Sequence, residues 1–434
     1  MLLSTEITLP CGLRLSNRLC KAAMAESMAP SHDPSEKFVN AYGKWADGGW
    51  GMILTGNVQV SDVYLGGPED VAIPSSEKSS QPSEAVPEAW KSWAKACQRQ
   101  GTPTIVQLCH PGRQSALGAG NRSIFAKTVA PSAVKMDFGP SLMERLAVAF
   151  IFGTPRELTA QEISGEGGVV DQFAAAAKQS FEAGFKGVQI HGAHGYLLAQ
   201  FLSPETNRRT DDFGGTPQKR TEIVLRIIRA IRNATSKEFC IGIKLNSVDA
   251  ASSESVSDVI DQIRLIVECG IDFIEISGGT YEKPRMMAEP TTAAATPPSK
   301  NATEPSARES FFLDFANTVR QAFPELVLMV TGGFRTRVGM EAALKSGACD
   351  LIGIARPAAV LPSLPKDIIL NPAEVSDEEA QVSLAPLRLP WLFRQLPVKQ
   401  VGAGVQSKYY ASQIQRMGAG LLPIDTSLTV SKSG

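Results

Sequence analysis

Eight short apolar runs recur along the chain with helical patterns between them: RLCKAAM (18–24), GMILTG (51–56), PTIVQLC (103–109), GVQIHG (187–192), CIGIKLN (240–246), DFIEISGG (272–279), LVLMVTGG (326–333) and DLIGIARP (350–357). Such alternation calls for parallel strands joined by crossover helices. After the fourth run, Thr216 suits a helix cap and Pro217 the first helical position, while Ile223, Ile227 and Ile231 recur at fours beside Val224 and Ile228. That spacing predicts a helix with one buried stripe. EKFVNAYGKWADGG after the first run and PEAWKSWAKACQRQG after the second carry comparable patterns. Eight strand–helix units predict an α/β fold, a (β/α)8 TIM barrel with long βα loops.

Before the first run, ITLPCGLRLSN reads as a hairpin turning at Pro10-Cys11-Gly12, a plug for the barrel floor. Two connections, 110–158 and 281–309, are long enough that loops of that length would carry function or remain mobile. Residues 358–434 are broken by proline and end in one predicted helix, VQSKYYASQIQRM. The expected division is a barrel over 1–360 and a C-terminal extension over 361–434 packed on it.

Composition narrows the partners. A net charge of −1 with 20% charged residues offers no basic field for nucleic acid or anionic lipid, and no segment approaches a membrane-spanning length. Seven scattered cysteines, with no C-x-x-C pair, argue against a disulfide framework, a zinc ribbon or an iron–sulfur site, and fit reduced thiols in a cytoplasmic protein. The expected ligand is a small molecule.

In a barrel of this kind chemistry gathers at the C-terminal ends of the strands. Met24 and Ala25 end the first run and Asn57 follows the second; Gln107 and His110 end the third; His191, His194 and Tyr196 end the fourth; Lys244 lies in the fifth; Gly332-Gly333 ends the seventh and Arg356 the eighth. The glycine pair with Arg356 has the form of a phosphate site, in which backbone N–H groups meet the anion and an arginine clamps it; a glycine turn beside a surface arginine is the alternative. The H-x-x-H spacing of His191 and His194 lacks the helix and the third acidic ligand of a zinc site, so no metal is expected. Two imidazole N–H donors could instead hold one ligand oxygen, with the neutral Tyr196 phenol as a proton donor.

Together these residues resemble the Old Yellow Enzyme family of FMN-dependent ene-reductases, the NADH:flavin oxidoreductases. HGAHGYLLAQFLSPETNRRTDDFGG (191–215) carries the resemblance most specifically, supported by VQLCHPGRQ (106–114), SGGTYE (277–282), TGGFRT (331–336) and DLIGIARP (350–357). The resemblance implies FMN across the barrel mouth, with its phosphate at Gly332, Gly333, Ala355 and Arg356 and its ring lined by Ala22, Ala23, Met24, Ala25 and Asn57. It implies that Gln107 meets the pyrimidine edge and that Lys244 stands where the reduced ring is negative. At about 4 Å and an effective dielectric of about 20, such a charge contact is worth about 4 kcal/mol. A lysine paired structurally with a carboxylate is the competing reading.

The cycle it implies takes a hydride from NAD(P)H, with NADPH the expected form. The hydride passes through FMN N5 to Cβ of an activated alkene, an α,β-unsaturated carbonyl or nitro compound. His191 and His194 bind the activating oxygen and Tyr196 protonates Cα, in a monomer or homodimer. Ala25 departs from relatives that carry a hydroxyl or thiol there, and Ser27 stands where some place a tyrosine against the substrate, implying a roomier pocket. The alternatives are a flavin-dependent isomerase or oxidase of a biosynthetic intermediate, and a catalytically idle FMN-binding scaffold.

Overall fold

Each of the eight apolar runs forms a strand: β1 (Leu19–Lys21), β2 (Met52–Gln59), β3 (Thr104–Cys109), β4 (Gly187–Gly192), β5 (Cys240–Asn246), β6 (Phe273–Ser277), β7 (Leu328–Thr331) and β8 (Leu351–Ile354). All neighbouring pairs are parallel, and β1 bonds both β8 and β2, which closes the sheet into a barrel. The computed structural model describes residues 1–74, 86–123, 125–139, 141–248, 255–278, 307–384, 400–424 and 428–429.

Between the strands run α1 (Glu36–Ala46), α2 (Glu88–Cys97), α3 (Val169–Glu182), α4 (Pro217–Ala234), α5 (Val256–Glu268), α6 (Ala307–Ala322) and α7 (Arg337–Lys345); the short α8 (Arg356–Val360) follows β8. The start of α4 is the one its sequence predicts: Thr216 Oγ1 accepts from the Lys219 N–H, Pro217 opens the helix, and Ile223, Val224, Ile227, Ile228 and Ile231 are buried. Among the described residues no helix is long and apolar enough to cross a membrane.

The barrel interior is layered because alternate residues of every strand point inward. Cys20, Met52, Ile105, Cys240, Phe273, Met329 and Leu351 fill its lower end together with Leu9 and Leu15 of the hairpin Ile7–Thr8/Arg14–Leu15, so the hairpin does plug the floor. Gly242 leaves room for the Phe273 ring, whose nearest carbons lie 2.3 Å from where a Cβ would stand. Above this apolar floor the inward positions turn polar.

Two stretches differ from expectation. The connection 110–158 holds a short helix, Leu142–Ile151, started by a capping box of Ser141 and Glu144, and a strand pair, Val129–Ala130 with Arg156–Glu157. Among its described residues, backbone groups bond one another, the Leu117 N–H donating to the Ile151 carbonyl at 2.7 Å and the Leu158 N–H to the Ala130 carbonyl at 3.0 Å. The C-terminal helix, α9 (Gln400–Gly418), starts earlier than its apolar pattern suggests and packs on α1 and α8. Most of 281–309 lies outside the described residues.

Candidate active site

A cleft of about 260 Å³ opens at the C-terminal ends of the strands. Thirteen of the expected residues line it: Ala23, Met24, Ala25, Asn57, Gln107, His191, His194, Tyr196, Lys244, Gly332, Gly333, Ala355 and Arg356. Two do not. Ala22 is fully buried in the apolar floor, and Ser27 lies beyond the lining, its backbone in the left-handed region at φ 48° and its carbonyl accepting from Gln415 Nε2 at 2.6 Å.

The wall formed by His191, His194 and Tyr196 is built by a strained turn. His194 sits at φ 59° and Gly195 at φ 74°, a conformation that costs a non-glycine residue energy and must be held by its surroundings. The His194 N–H donates to Asn246 Oδ1 at 3.1 Å, its carbonyl accepts from Gln114 Nε2 at 2.9 Å, and its Nε2 lies 3.1 Å from Ser277 Oγ. The imidazoles of His191 and His194 stand edge to face at 5.0 Å, and the rings of His191 and Tyr196 at 4.7 Å. Tyr196 Oη accepts from Asn57 Nδ2 at 3.3 Å, which turns the phenol hydrogen away from Asn57.

Burial, and secondarily the Lys244 charge, hold both histidines well below the ordinary imidazole range, so both are neutral. His191 Nδ1 accepts from the Ala193 N–H at 3.2 Å, which assigns the ring hydrogen to Nε2. The pair therefore has the makings of a neutral donor set for an anionic or carbonyl oxygen.

Lys244 lies in the lining and also has an ionic partner. Its Nζ lies 2.9 Å from Glu275 Oε1, with the lysine 4% and the carboxylate 0% exposed, so the structural pairing that the sequence left as the lesser reading is present. Lys244 nevertheless still lines the cleft. Glu275 Oε2 accepts from Gln189 Nε2 at 2.8 Å, and Gln189 Oε1 from Gln107 Nε2 at 2.6 Å. Inward positions of β3 to β6 thus form one buried polar chain beneath the cleft.

At the other end, the turn Gly332–Arg335 and the start of α8 face the cleft together. Gly333 has φ 95°, and a Cβ at Gly332 would stand 2.0 Å from Phe312. Arg356 Nη1 donates to Gln406 Oε1 at 3.4 Å. The sequence reading missed Ser277, Thr331, Phe334, Arg335, Gly353, Ile354 and Pro357 of the strand ends, and Ser407 and Tyr410 of α9. Ser277 and Thr331 close apolar runs and were findable by the strand-end rule; nothing in the local pattern of α9 marks Ser407 or Tyr410.

The profile of the NADH:flavin oxidoreductase / NADH oxidase family matches residues 7–371. The chain belongs to this family, that of Old Yellow Enzyme. It is 44% identical over 417 residues to the NADH-dependent flavin oxidoreductase iccE of Talaromyces variabilis, covering 96% of this chain and 98% of that one. It is also 44% identical over 439 residues to the NADH-dependent flavin oxidoreductase iliE of Neonectria sp. (strain DH2), where it covers 98% of this chain and spans 56% of the length of that relative. Among solved structures, morphinone reductase in complex with tetrahydroNAD superposes with a TM-score of 0.65 at 23% identity, covering 84% of this chain and 89% of that one. The old yellow enzyme homologue from Zymomonas mobilis gives 0.65 at 24%, covering 84% and 91%. At these identities the two structures speak for the barrel alone.

Proposed function

We propose that the chain is an FMN-dependent ene-reductase that reduces the C=C bond of an α,β-unsaturated carbonyl or nitro compound with a reduced nicotinamide. The observation that carries this reading is the convergence of two neutral imidazoles and a phenol on one wall of a cleft whose floor is polar and whose far end is a glycine turn with an arginine.

The residues fit FMN. Gly332, Gly333 and Arg335, with Arg356 from the adjoining strand end, suit its phosphate. Ala23, Met24, Ala25 and Asn57 would line its ring, while Gln107 and Lys244 would meet its polar edge. Thr331 also lines the cleft, and its hydroxyl, buried against Gly353, finds no hydrogen-bond partner among the described residues. When bound, FMN would accept a hydride from the nicotinamide and pass it to Cβ of the alkene.

The chain's own groups would do the rest. The His191 Nε2–H and the His194 ring hold the carbonyl or nitro oxygen, where negative charge develops as Cβ is reduced. Tyr196 delivers its phenol proton to Cα, completing the addition of H⁻ and H⁺ across the double bond, and Asn57 orients that phenol. The names of the relatives support NADH, rather than the NADPH expected from sequence, as the reductant.

A visible spectrum of the purified protein tests the reading. The protein should be yellow, bleach under anaerobic NADH, and regain its colour on one equivalent of a cyclic enone. Colourless protein that takes up no added FMN, or reduced protein that enones leave bleached, would overturn it. Phenols should add a long-wavelength charge-transfer band that is lost when His191 and His194 are both replaced by Ala.

A further inference from the structure

The buried chain beneath the cleft ends in a group that touches neither the cleft nor solvent. Glu275 is the middle inward residue of β6, pairs in register with Lys244 of β5, and is fully buried. Resting on the flavin site proposed above, we infer that Glu275 is a positioning residue for the cofactor: it holds Lys244 and, through Gln189, Gln107 in place, and its charge offsets that of Lys244 beneath the ring.

The geometry dictates the direction of the chain. A carboxylate only accepts hydrogen bonds, so Gln189 must turn its NH2 toward Glu275, at 2.8 Å, and its oxygen toward Gln107. Gln107 must then spend one amide hydrogen downward, at 2.6 Å, leaving its oxygen and its second hydrogen for the cleft it lines. A donor and an acceptor side by side are what a pyrimidine edge requires, and a neutral glutamine at 275 would release that constraint.

The electrostatic consequence has a definite sign. With Glu275 Oε1 2.9 Å from Lys244 Nζ, the ring site faces a compensated pair, not a lone ammonium. Interactions in so buried a setting are weakly screened. Removing the negative member leaves Lys244 uncompensated, favours the electron-rich reduced ring and raises the reduction potential.

The test is a dye-coupled anaerobic titration of FMN-loaded wild type and Glu275→Gln. The reduction equilibrium constant of the variant should rise about tenfold, about 30 mV for a two-electron couple. A second variant, Lys244→Met/Glu275→Gln, replaces the whole pair, a change that buried pairs tolerate better than loss of one partner. With both charges gone, its constant should stay within a few-fold of wild type. Loaded Glu275→Gln with an unchanged or lowered potential, or a tenfold fall in the double variant, would show that Glu275 does not offset Lys244, while the bound FMN in the same samples leaves the flavin site standing. Wild-type protein that binds no FMN overturns the site and this inference together.

Discussion

At the residue scale, the strand-end rule found the cleft residues by type, and the structure decides what each is bonded to. Tyr196→Phe keeps the ring packing against His191 and removes only the proton, so flavin reduction by NADH should be nearly unchanged while enone reduction slows by about 10²–10⁴-fold. Single-turnover rates of the two halves check this; equal losses would make Tyr196 a packing residue. Ala25 is exposed in the cleft lining and brings no hydroxyl. Ala25→Thr should raise the flavin potential by about 10–30 mV, the equivalent of one net hydrogen bond of about 0.5–1.5 kcal/mol. Potentiometry showing no rise would place residue 25 away from the ring. The charge state of Lys244's surroundings was not legible, because Glu275 looks like any strand residue until β5 and β6 are set in register.

At the element scale, eight strands and the helix after the fourth were readable because their periodicity follows from the barrel's two-sided burial. The partnership of α9 with the first βα connection was not, since it joins segments nearly four hundred residues apart. Gln415 Nε2 donates to the carbonyls of Glu26 at 3.2 Å and Ser27 at 2.6 Å, and Asn40 Nδ2 donates to the Gly418 carbonyl at 3.1 Å. These bonds hold the segment that carries Met24 and Ala25 into the cleft. Gln415→Ala removes two of them, each worth about 0.5–1.5 kcal/mol, and should both lower the thermal midpoint by a few degrees and weaken FMN retention. FMN release on dilution, read by fluorescence, distinguishes this from a loss of stability alone.

At the scale of the whole molecule, His110 and His191 are buried, His194 is half-buried at the cleft wall, and all three are neutral. Burial holds His110 at about 4 and His191 and His194 well below their ordinary range. Below about 6.5 the unfolded chain binds these protons and the folded chain does not, so stability falls as the pH falls through that value. Asp70, which burial raises to about 6, and Glu26, also raised by burial, have the opposite sign and offset part of the loss. The net change from about pH 7.5 to 5.5 should be a loss on the order of 3 kcal/mol, read as a lower urea midpoint at constant FMN. A midpoint that rises on acidification would mean that the carboxylates dominate. The same burial explains what was legible at this scale. By itself the sequence determined the barrel, the floor plug and the residue types at the strand ends, because hydrophobic periodicity and turn chemistry act over a few neighbouring residues. Only the tertiary structure decided the pairing of Lys244 with Glu275, the neutrality of the histidines and the entry of α9 into the cleft wall. Those depend on register and on desolvation, which arise only when distant segments exclude water together.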